Sequence, residues 1–113
     1  MIHTRWLMNH GAVIVTGGSK RIGRAISIAL SNAGFQILVH HRNSALEAEE
    51  TVRLIVSNGG SAAICQADLS EVSSVEKLVN SAIENFGEIS GLVNNASVFI
   101  LSLIHISEPT RPY

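Results

Sequence analysis

A Gly-rich loop between an apolar run and a helical pattern is the stretch best suited to bind a ligand. The run from Ala12 to Val15 is apolar throughout, as expected of a strand buried on both faces. The loop that follows reads Gly17-Gly18-Ser19-Lys20-Arg21-Ile22-Gly23. Its glycines allow sharp turns and close approach to a ligand, and the next helix offers unpaired N–H groups and the positive end of its dipole. These features predict a phosphate site; the alternative is a loop whose glycines only form a turn.

Two arginines bear on which nucleotide would bind. Arg21 stands where a middle glycine is common, and its guanidinium would add a fixed charge beside a pyrophosphate. At the end of the second predicted strand a carboxylate would hold the ribose of NAD, whereas arginine suits the extra phosphate of NADP. That segment contains Arg42, Asn43 and Ser44, with no acid before Glu47. We therefore expect NADP, bound by Arg42 with Asn43 or Ser44 donating a hydrogen bond; the alternative is that Arg42 is a solvated turn residue.

Strand and helix patterns alternate three times around these residues. The predicted strands are residues 12–15, 35–40, 61–67 and 89–93. The apolar stripes of the intervening helices are Ile22, Ala25, Ile26, Ala29, Leu30 and Ala33; Ala48, Val52 and Ile55; and Val75, Leu78, Val79, Ala82, Ile83 and Phe86. Gly34, Gly59-Gly60 and Gly87 are placed to end the helices, and Ser44-x-x-Glu47 and Ser73-x-x-Glu76 match capping boxes. This order predicts an α/β fold, a Rossmann-like doubly wound parallel sheet that is truncated after the fourth strand.

Composition excludes several other classes of function. The 113 residues allow one domain at most, and a net charge of -1 gives no electrostatic footprint for nucleic acid or an anionic membrane. Neither a signal peptide nor a bilayer-spanning stretch is recognisable, so we expect a cytoplasmic protein. The single cysteine, Cys65, is expected to be a small buried apolar residue. His40 and His41 could suggest metal ligands, but neighbours on a strand point to opposite faces, and we expect no metal site.

Three motifs together resemble those of the short-chain dehydrogenases/reductases. They are Thr16-Gly17-x-x-x-Arg21-Ile22-Gly23, Asp68-Leu69 after the third predicted strand, and Leu92-Val93-Asn94-Asn95-Ala96-Ser97 after the fourth. Further features resemble the pteridine reductase branch of that family: Arg21 in place of the middle glycine, His40-His41-Arg42-Asn43-Ser44, Gln66-Ala67-Asp68-Leu69-Ser70, and Ser97 in place of the usual glycine. The resemblance covers about residues 12–99.

The resemblance implies a set of NADP-binding residues. Around the pyrophosphate and the adjoining ribose it places Gly17, Ser19, Arg21, Ile22 and Gly23. It places Arg42, Asn43 and Ser44 near the 2′-phosphate, Asp68 and Leu69 beside the adenine, and Asn95, Ala96 and Ser97 beside the ribose on the nicotinamide side. Asp68 has an alternative role, because a carboxylate just ahead of a helix is favoured by the dipole. For Asn94 the alternative role is to hold neighbouring strands together.

The resemblance also implies hydride transfer from the nicotinamide, with a tyrosine as proton donor and a lysine four residues later that lowers its pKa and binds the ribose. The chain contains no Tyr-x-x-x-Lys, since its one tyrosine is Tyr113 and its lysines are Lys20 and Lys77. We therefore expect no catalytic residue and no turnover. For the full-length protein the resemblance favours a pterin or similar small substrate over a 3-oxoacyl or other carbonyl compound, and a homo-oligomer.

The end of the chain is unlike the family. Residues 101–111 read Leu-Ser-Leu-Ile-His-Ile-Ser-Glu-Pro-Thr-Arg, which resembles an in-frame translation of sequencing-adapter DNA. We interpret residues 11–100 as the N-terminal part of an NADP-binding Rossmann domain, residues 101–113 as a non-native tail, and residues 1–10 as a leader that need not be native. Two hypotheses of different classes follow: the cofactor-binding half of a reductase, or a non-catalytic nucleotide-binding or unfolded fragment.

Overall fold

Strands and helices alternate along the residues that the computed structural model describes, 10–95. The strands are β1 (Ala12–Thr16), β2 (Gln36–His41), β3 (Ala62–Gln66) and β4 (Ile89–Asn94), and the helices are α1 (Arg21–Asn32), α2 (Ala45–Ser57) and α3 (Val72–Phe86). The strand ends differ from the predicted ones by a single residue at most. The predicted tail and most of the predicted leader lie outside the described residues.

All neighbouring strands pair in parallel, in the order β3-β2-β1-β4. This matches the first four positions of the doubly wound order 3-2-1-4-5-6, so the predicted Rossmann-like fold is confirmed. The chain moves outward from β1 to β2 and β3, and then returns to place β4 on the other side of β1. The loops after β1 and β4 consequently leave the sheet in different directions, and ligands of doubly wound proteins bind in the crevice that this reversal opens.

The two faces of the sheet carry separate apolar clusters. On one face Val13, Val15, Ile37 and Val39 pack with buried residues of α2 and with partly buried residues of α1. On the other face Ile14 and Leu38 pack with Leu78 and Ala82 of α3. Cys65 is buried in that second cluster, as expected. The alternation of β1 between the two clusters explains why a strand covered on both sides is apolar throughout.

The buried face of α1 differs from the predicted one. Its buried residues are the small ones Gly23, Ser27 and Ser31, whereas Ile22 is 68% exposed. The predicted alanines Ala25, Ala29 and Ala33 are exposed, while Ile26 and Leu30 remain partly buried against the sheet. Small side chains four residues apart allow the helix to lie close to the sheet, so larger residues pack at the flanks. On α3 the predicted stripe holds except at Ile83, which is 48% exposed.

The helix ends follow the glycines but not the predicted capping boxes. Gly34, Gly59 and Gly87 all have positive φ, as predicted for residues that end helices. Ser44 is the N-cap of α2 but makes no side-chain cap bond, and its amide, which would donate to Glu47 in a capping box, donates instead to His41 Nδ1 at 3.2 Å. The second capping box is wrong by position, since α3 begins at Val72 after an N-cap at Glu71. Within residues 10–95, no helix is both long and apolar enough to cross a membrane.

Candidate functional site

The Gly-rich loop and the end of β4 meet at the crevice between β1 and β4. Asn95 Nδ2 donates to the Gly17 carbonyl at 3.1 Å, and the Asn95 amide donates to Thr16 Oγ1 at 2.9 Å. Thr16 Oγ1 also lies 3.2 Å from both the Val93 carbonyl and Asn94 Oδ1. The Asn94 side chain therefore joins β4 to β1, in agreement with its alternative role of holding neighbouring strands together. These contacts bring the first and last motifs of the chain together at one edge of the sheet.

The loop backbone has a conformation that glycine favours at two positions. Gly17 has φ of 62° and Arg21 has φ of 45°, which is the left-handed region. Arg21 thus occupies the middle position where a glycine is common, at a conformational cost of roughly 1–2 kcal/mol. A Cβ at Gly23 would collide with the Gly17 carbonyl and approach Asn95 Nδ2. The first turn of α1 can therefore lie directly on the loop only because residue 23 is glycine.

The N-terminus of α1 is open to an anion. Its N-cap, Lys20, makes no side-chain cap bond, and no acidic residue lies in the first turn. The first backbone bond of the helix runs from the Arg24 amide to the Lys20 carbonyl at 3.3 Å. The preceding amides of the first turn, Arg21, Ile22 and Gly23, are ones that helix geometry leaves without an intrahelical partner. A phosphate at this end would receive donors and a favourable dipole, so the residues present fit a nucleotide pyrophosphate.

Arg24 and Thr51 anchor the loop from behind, and the motif analysis did not assign them a role. Arg24 donates through Nη2 to the Ser19 carbonyl at 3.3 Å and through Nε to Thr51 Oγ1 at 3.0 Å. Thr51 Oγ1 in turn lies 3.0 Å from the Ser19 carbonyl and 2.9 Å from the Glu47 carbonyl. Arg24 also pairs with Glu50 at 2.7 Å. The main-chain carbonyl of Ser19 is thereby held by both side chains. No pattern in the sequence indicates this contact, because it depends on the packing of α1 on α2.

His40 connects the loop to the neighbouring strands. Its Nδ1 accepts the Gly17 amide at 2.9 Å, its Nε2 lies 2.9 Å from the Ala67 carbonyl, and its own carbonyl accepts the Gly18 amide at 3.0 Å. Because a carbonyl only accepts, the proton must sit on Nε2. Burial lowers the pKa of His40 below the ordinary value of 6.5, an effect that His41 adds to and the Ala67 bond opposes. The ring is therefore neutral at physiological pH.

The segment after β2 presents polar groups at the same edge of the sheet. Arg42 and Asn43 are exposed and Ser44 is partly buried. Arg42 Nη2 lies 3.7 Å from Asp68 Oδ2, which is beyond direct hydrogen-bond distance, and its side chain is 68% exposed. The guanidinium is consequently held only loosely and can turn to a ligand.

Asp68 and Leu69, the two residues predicted beside the adenine, both lie in the turn after β3 but differ in burial. The Ser70 amide and Ser70 hydroxyl donate to Asp68 Oδ1 at 3.0 and 2.8 Å, and these bonds, together with Arg42, hold the pKa of Asp68 below its ordinary 3.8. Asp68 is therefore an ionised carboxylate at neutral pH, with a side chain that is 38% exposed. Leu69 is 8% exposed and packs into the core beneath the turn, so most of its side chain is taken by that packing. Asp68 precedes α3 by several residues, which argues against a dipole role.

Two further predicted site residues, Ala96 and Ser97, lie outside the described residues.

A Gly-rich loop and an uncapped helix N-terminus at the switch point of a doubly wound sheet define a nucleotide-binding α/β architecture. The sequence profile of the short chain dehydrogenase family matches residues 11–111, so this chain belongs to the short-chain dehydrogenase family of oxidoreductases. The match runs past residue 99, where the motif resemblance was expected to end.

Curated relatives and solved structures agree with this assignment. The short-chain dehydrogenase/reductase homologue YusS of Bacillus subtilis is 41% identical over 85 residues, 75% of this chain and 78% of that protein. The 3-oxoacyl-(acyl-carrier-protein) reductase of Synechocystis is 35% identical over 85 residues, 75% of this chain and 34% of that protein. FolM alternative dihydrofolate reductase 1 from Brucella canis, solved in complex with NADP, is 41% identical with a TM-score of 0.73, covering 80% of this chain and 36% of that chain. The chain thus spans about a third of the latter two proteins.

Proposed function

We propose that residues 11–100 form the NADP-binding part of a short-chain reductase. The observation that carries the proposal is the junction of the Gly-rich loop, the uncapped start of α1 and the end of β4 at the switch point. In such an enzyme the bound nicotinamide supplies or accepts a hydride, while the residues of this chain hold the nucleotide. The matched family and the NADP complex of the Brucella protein support this proposal.

The proposed contacts combine the positions of the described residues with the roles that the family resemblance implies. The first-turn amides and the Arg21 guanidinium would bind the pyrophosphate, with Gly17 and Gly23 allowing close approach and Ser19 forming the loop wall. Ile22, which is 68% exposed on the first turn of α1, would cover the adjoining ribose. Asp68 and the exposed part of Leu69 would border the adenine. Asn95, with Ala96 and Ser97, would border the ribose on the nicotinamide side.

Preference for NADP over NAD rests on the end of β2. The loosely held guanidinium of Arg42 lies just after β2, where the family resemblance puts the 2′-phosphate, and Asn43 and Ser44 add polar groups beside it. No carboxylate occupies the strand end itself, where an NAD-binding protein would need one for the ribose hydroxyls. The Asp68 carboxylate, 3.7 Å from the Arg42 guanidinium, lies on the turn after β3 and is already bonded to Ser70.

For the full-length protein we propose reduction of a pterin or a similar small substrate, in the cytoplasm and by a homo-oligomer. The FolM protein of Brucella, an alternative dihydrofolate reductase, supports this substrate class. The second candidate is a 3-oxoacyl reductase, favoured by the Synechocystis relative. In the 113 residues given, the absence of a Tyr-x-x-x-Lys predicts nucleotide binding without turnover.

Equilibrium binding of NADP+ and NAD+ to the 113-residue chain tests the proposal. We expect saturable binding of NADP+ that is tighter than that of NAD+, and no oxidation of NADPH in the presence of dihydropteridine or 3-oxoacyl substrates. Circular dichroism on the same sample separates a folded chain that does not bind, which contradicts the proposal, from an unfolded chain. Turnover of NADPH would contradict the predicted inactivity.

A further inference from the structure

His40, a buried residue at the end of β2, joins two separate parts of the proposed nucleotide site. The residue is 2% exposed, and its ring bridges the Gly17 amide and the Ala67 carbonyl. Gly17 belongs to the Gly-rich loop of residues 17–23, hereafter the phosphate loop. Ala67 directly precedes Asp68 in the turn after β3. The same residue's carbonyl takes the Gly18 amide. A single side chain at the end of β2 therefore ties the loop of β1 to the turn of β3.

The direction of these bonds decides which loop amides face a ligand. Because the amides of Gly17 and Gly18 are both bonded to His40, they are not donors to a phosphate. The donors left for an anion are those at the start of α1, where the dipole also favours negative charge. The orientation of the loop thus depends on an acceptor at the position of His40 Nδ1.

The ring can serve as that acceptor in only one form. With the proton on Nε2, Nδ1 accepts from Gly17 and Nε2 donates to Ala67; a second proton on Nδ1 would face the Gly17 N–H with another donor. The ionisable and charged groups around the ring are His41 next to it, Arg42 just after the same strand and Asp68 on the adjoining turn. The charge of His41 disfavours a positive ring, and the Asp68 carboxylate is already bonded to Ser70.

We propose that His40 is a positioning residue for the nucleotide site, which holds the phosphate loop in its ligand-binding shape through the neutral Nε2–H form. The inference rests on the proposed nucleotide-binding function, because it concerns the same loop. Acid then weakens nucleotide binding by protonating the ring and releasing the Gly17 amide.

Two substitutions separate the two bonds of the ring. The side-chain amide of asparagine reaches as far as Nδ1, so His40→Asn retains an acceptor for Gly17 and loses the donor to Ala67. Glutamine reaches as far as Nε2, so His40→Gln retains the donor and loses the acceptor. Both variants remove a titratable group and add a buried amide of similar polarity, so each is the control for the other.

The hydrogen-exchange rate of the Gly17 amide measures the strength of its bond to residue 40 in the absence of any nucleotide. We expect exchange in the Gln variant to be roughly tenfold faster than in wild type, and exchange in the Asn variant to be close to wild type. Equal acceleration in both variants would overturn the inference, since it would show a general loss of packing. Nitrogen NMR of the unmodified chain gives an independent answer: a protonated Nδ1 at pH 7.5 would also overturn it.

The pH dependence of NADP+ binding completes the test. Below pH 6.5 the affinity of wild type for NADP+ should fall more steeply than that of the Asn variant. The ligand titrates in the same way in both experiments, but only wild type has a titratable side chain at position 40. Parallel profiles would refute the pH effect. If wild type is folded yet binds no NADP+, the proposed function fails, while the exchange and NMR results still decide whether His40 holds the loop.

Discussion

Replacing Arg42 by alanine tests the preference for NADP, because this guanidinium is the group proposed to separate a 2′-phosphate from a 2′-hydroxyl. Its side chain is 68% exposed and lies 3.7 Å from Asp68, so removing it leaves no buried charge unpaired and should not unfold the chain. The substitution therefore reports on binding rather than on folding.

The expected magnitude follows from the exposure of the group. A hydrogen bond to a charged partner contributes about 1.5–3 kcal/mol, and solvent screening at this exposed position favours the lower end. A loss of about 1.5 kcal/mol corresponds to roughly tenfold weaker binding of NADP+. Binding of NAD+, which lacks the 2′-phosphate, should change by less than about twofold.

Isothermal titration of both nucleotides against wild type, Arg42→Ala and Arg53→Ala provides the measurement. Arg53 is an exposed arginine on α2, outside the proposed site, so its replacement makes the same change in net charge. Raising the salt concentration should reduce the difference between wild type and the Arg42 variant. The reasoning is refuted if NADP+ and NAD+ lose affinity by the same factor, or if Arg53→Ala weakens NADP+ binding as much as Arg42→Ala.

Other substitutions test the loop and its supports, all measured by urea unfolding at pH 7.5 unless stated. Gly23→Ala should lower the free energy of unfolding by about 1–3 kcal/mol because its Cβ collides with the loop, whereas Gly91→Ala, which has nothing within 4 Å, should change it by less than about 0.5 kcal/mol. Arg24→Met should cost about 1.5–3 kcal/mol through the lost bonds to the loop and α2, and a neutral result would show that these bonds contribute nothing. Arg21→Gly should raise the free energy of unfolding by up to about 1 kcal/mol by removing the left-handed strain, yet weaken NADP+ binding; weaker folding would contradict the assigned backbone conformation. Since folding lowers the pKa of His40, the unfolded chain binds more protons as pH falls through 6.5, so stability should decline with acid in that range, and less so in His40→Asn.

Local rules in the sequence determined the order of the secondary structure elements, the limits of the strands and the ends of the helices, but not the helix starts. Apolar runs, helical spacing and glycines at helix ends depend on residues close in the chain, and the strands and the glycines with positive φ appear where they were predicted. The Gly-rich loop was also predictable, because its glycines and the helix after it are contiguous. Arg21 could be recognised as an exception in the same way, although only the structure gives its φ of 45°.

Tertiary packing decided the contacts between segments far apart in the sequence. The sequence predicted a stripe of isoleucine, leucine and alanine residues as the inner face of α1. The helix instead buries Gly23, Ser27 and Ser31, because small side chains allow closer approach to the sheet. Likewise the bonds of His40 to Gly17 and Ala67, and of Arg24 to Ser19 and Thr51, join positions on different elements. Hydrogen-bond partners of this kind depend on strand order and helix placement, which periodicity alone does not specify.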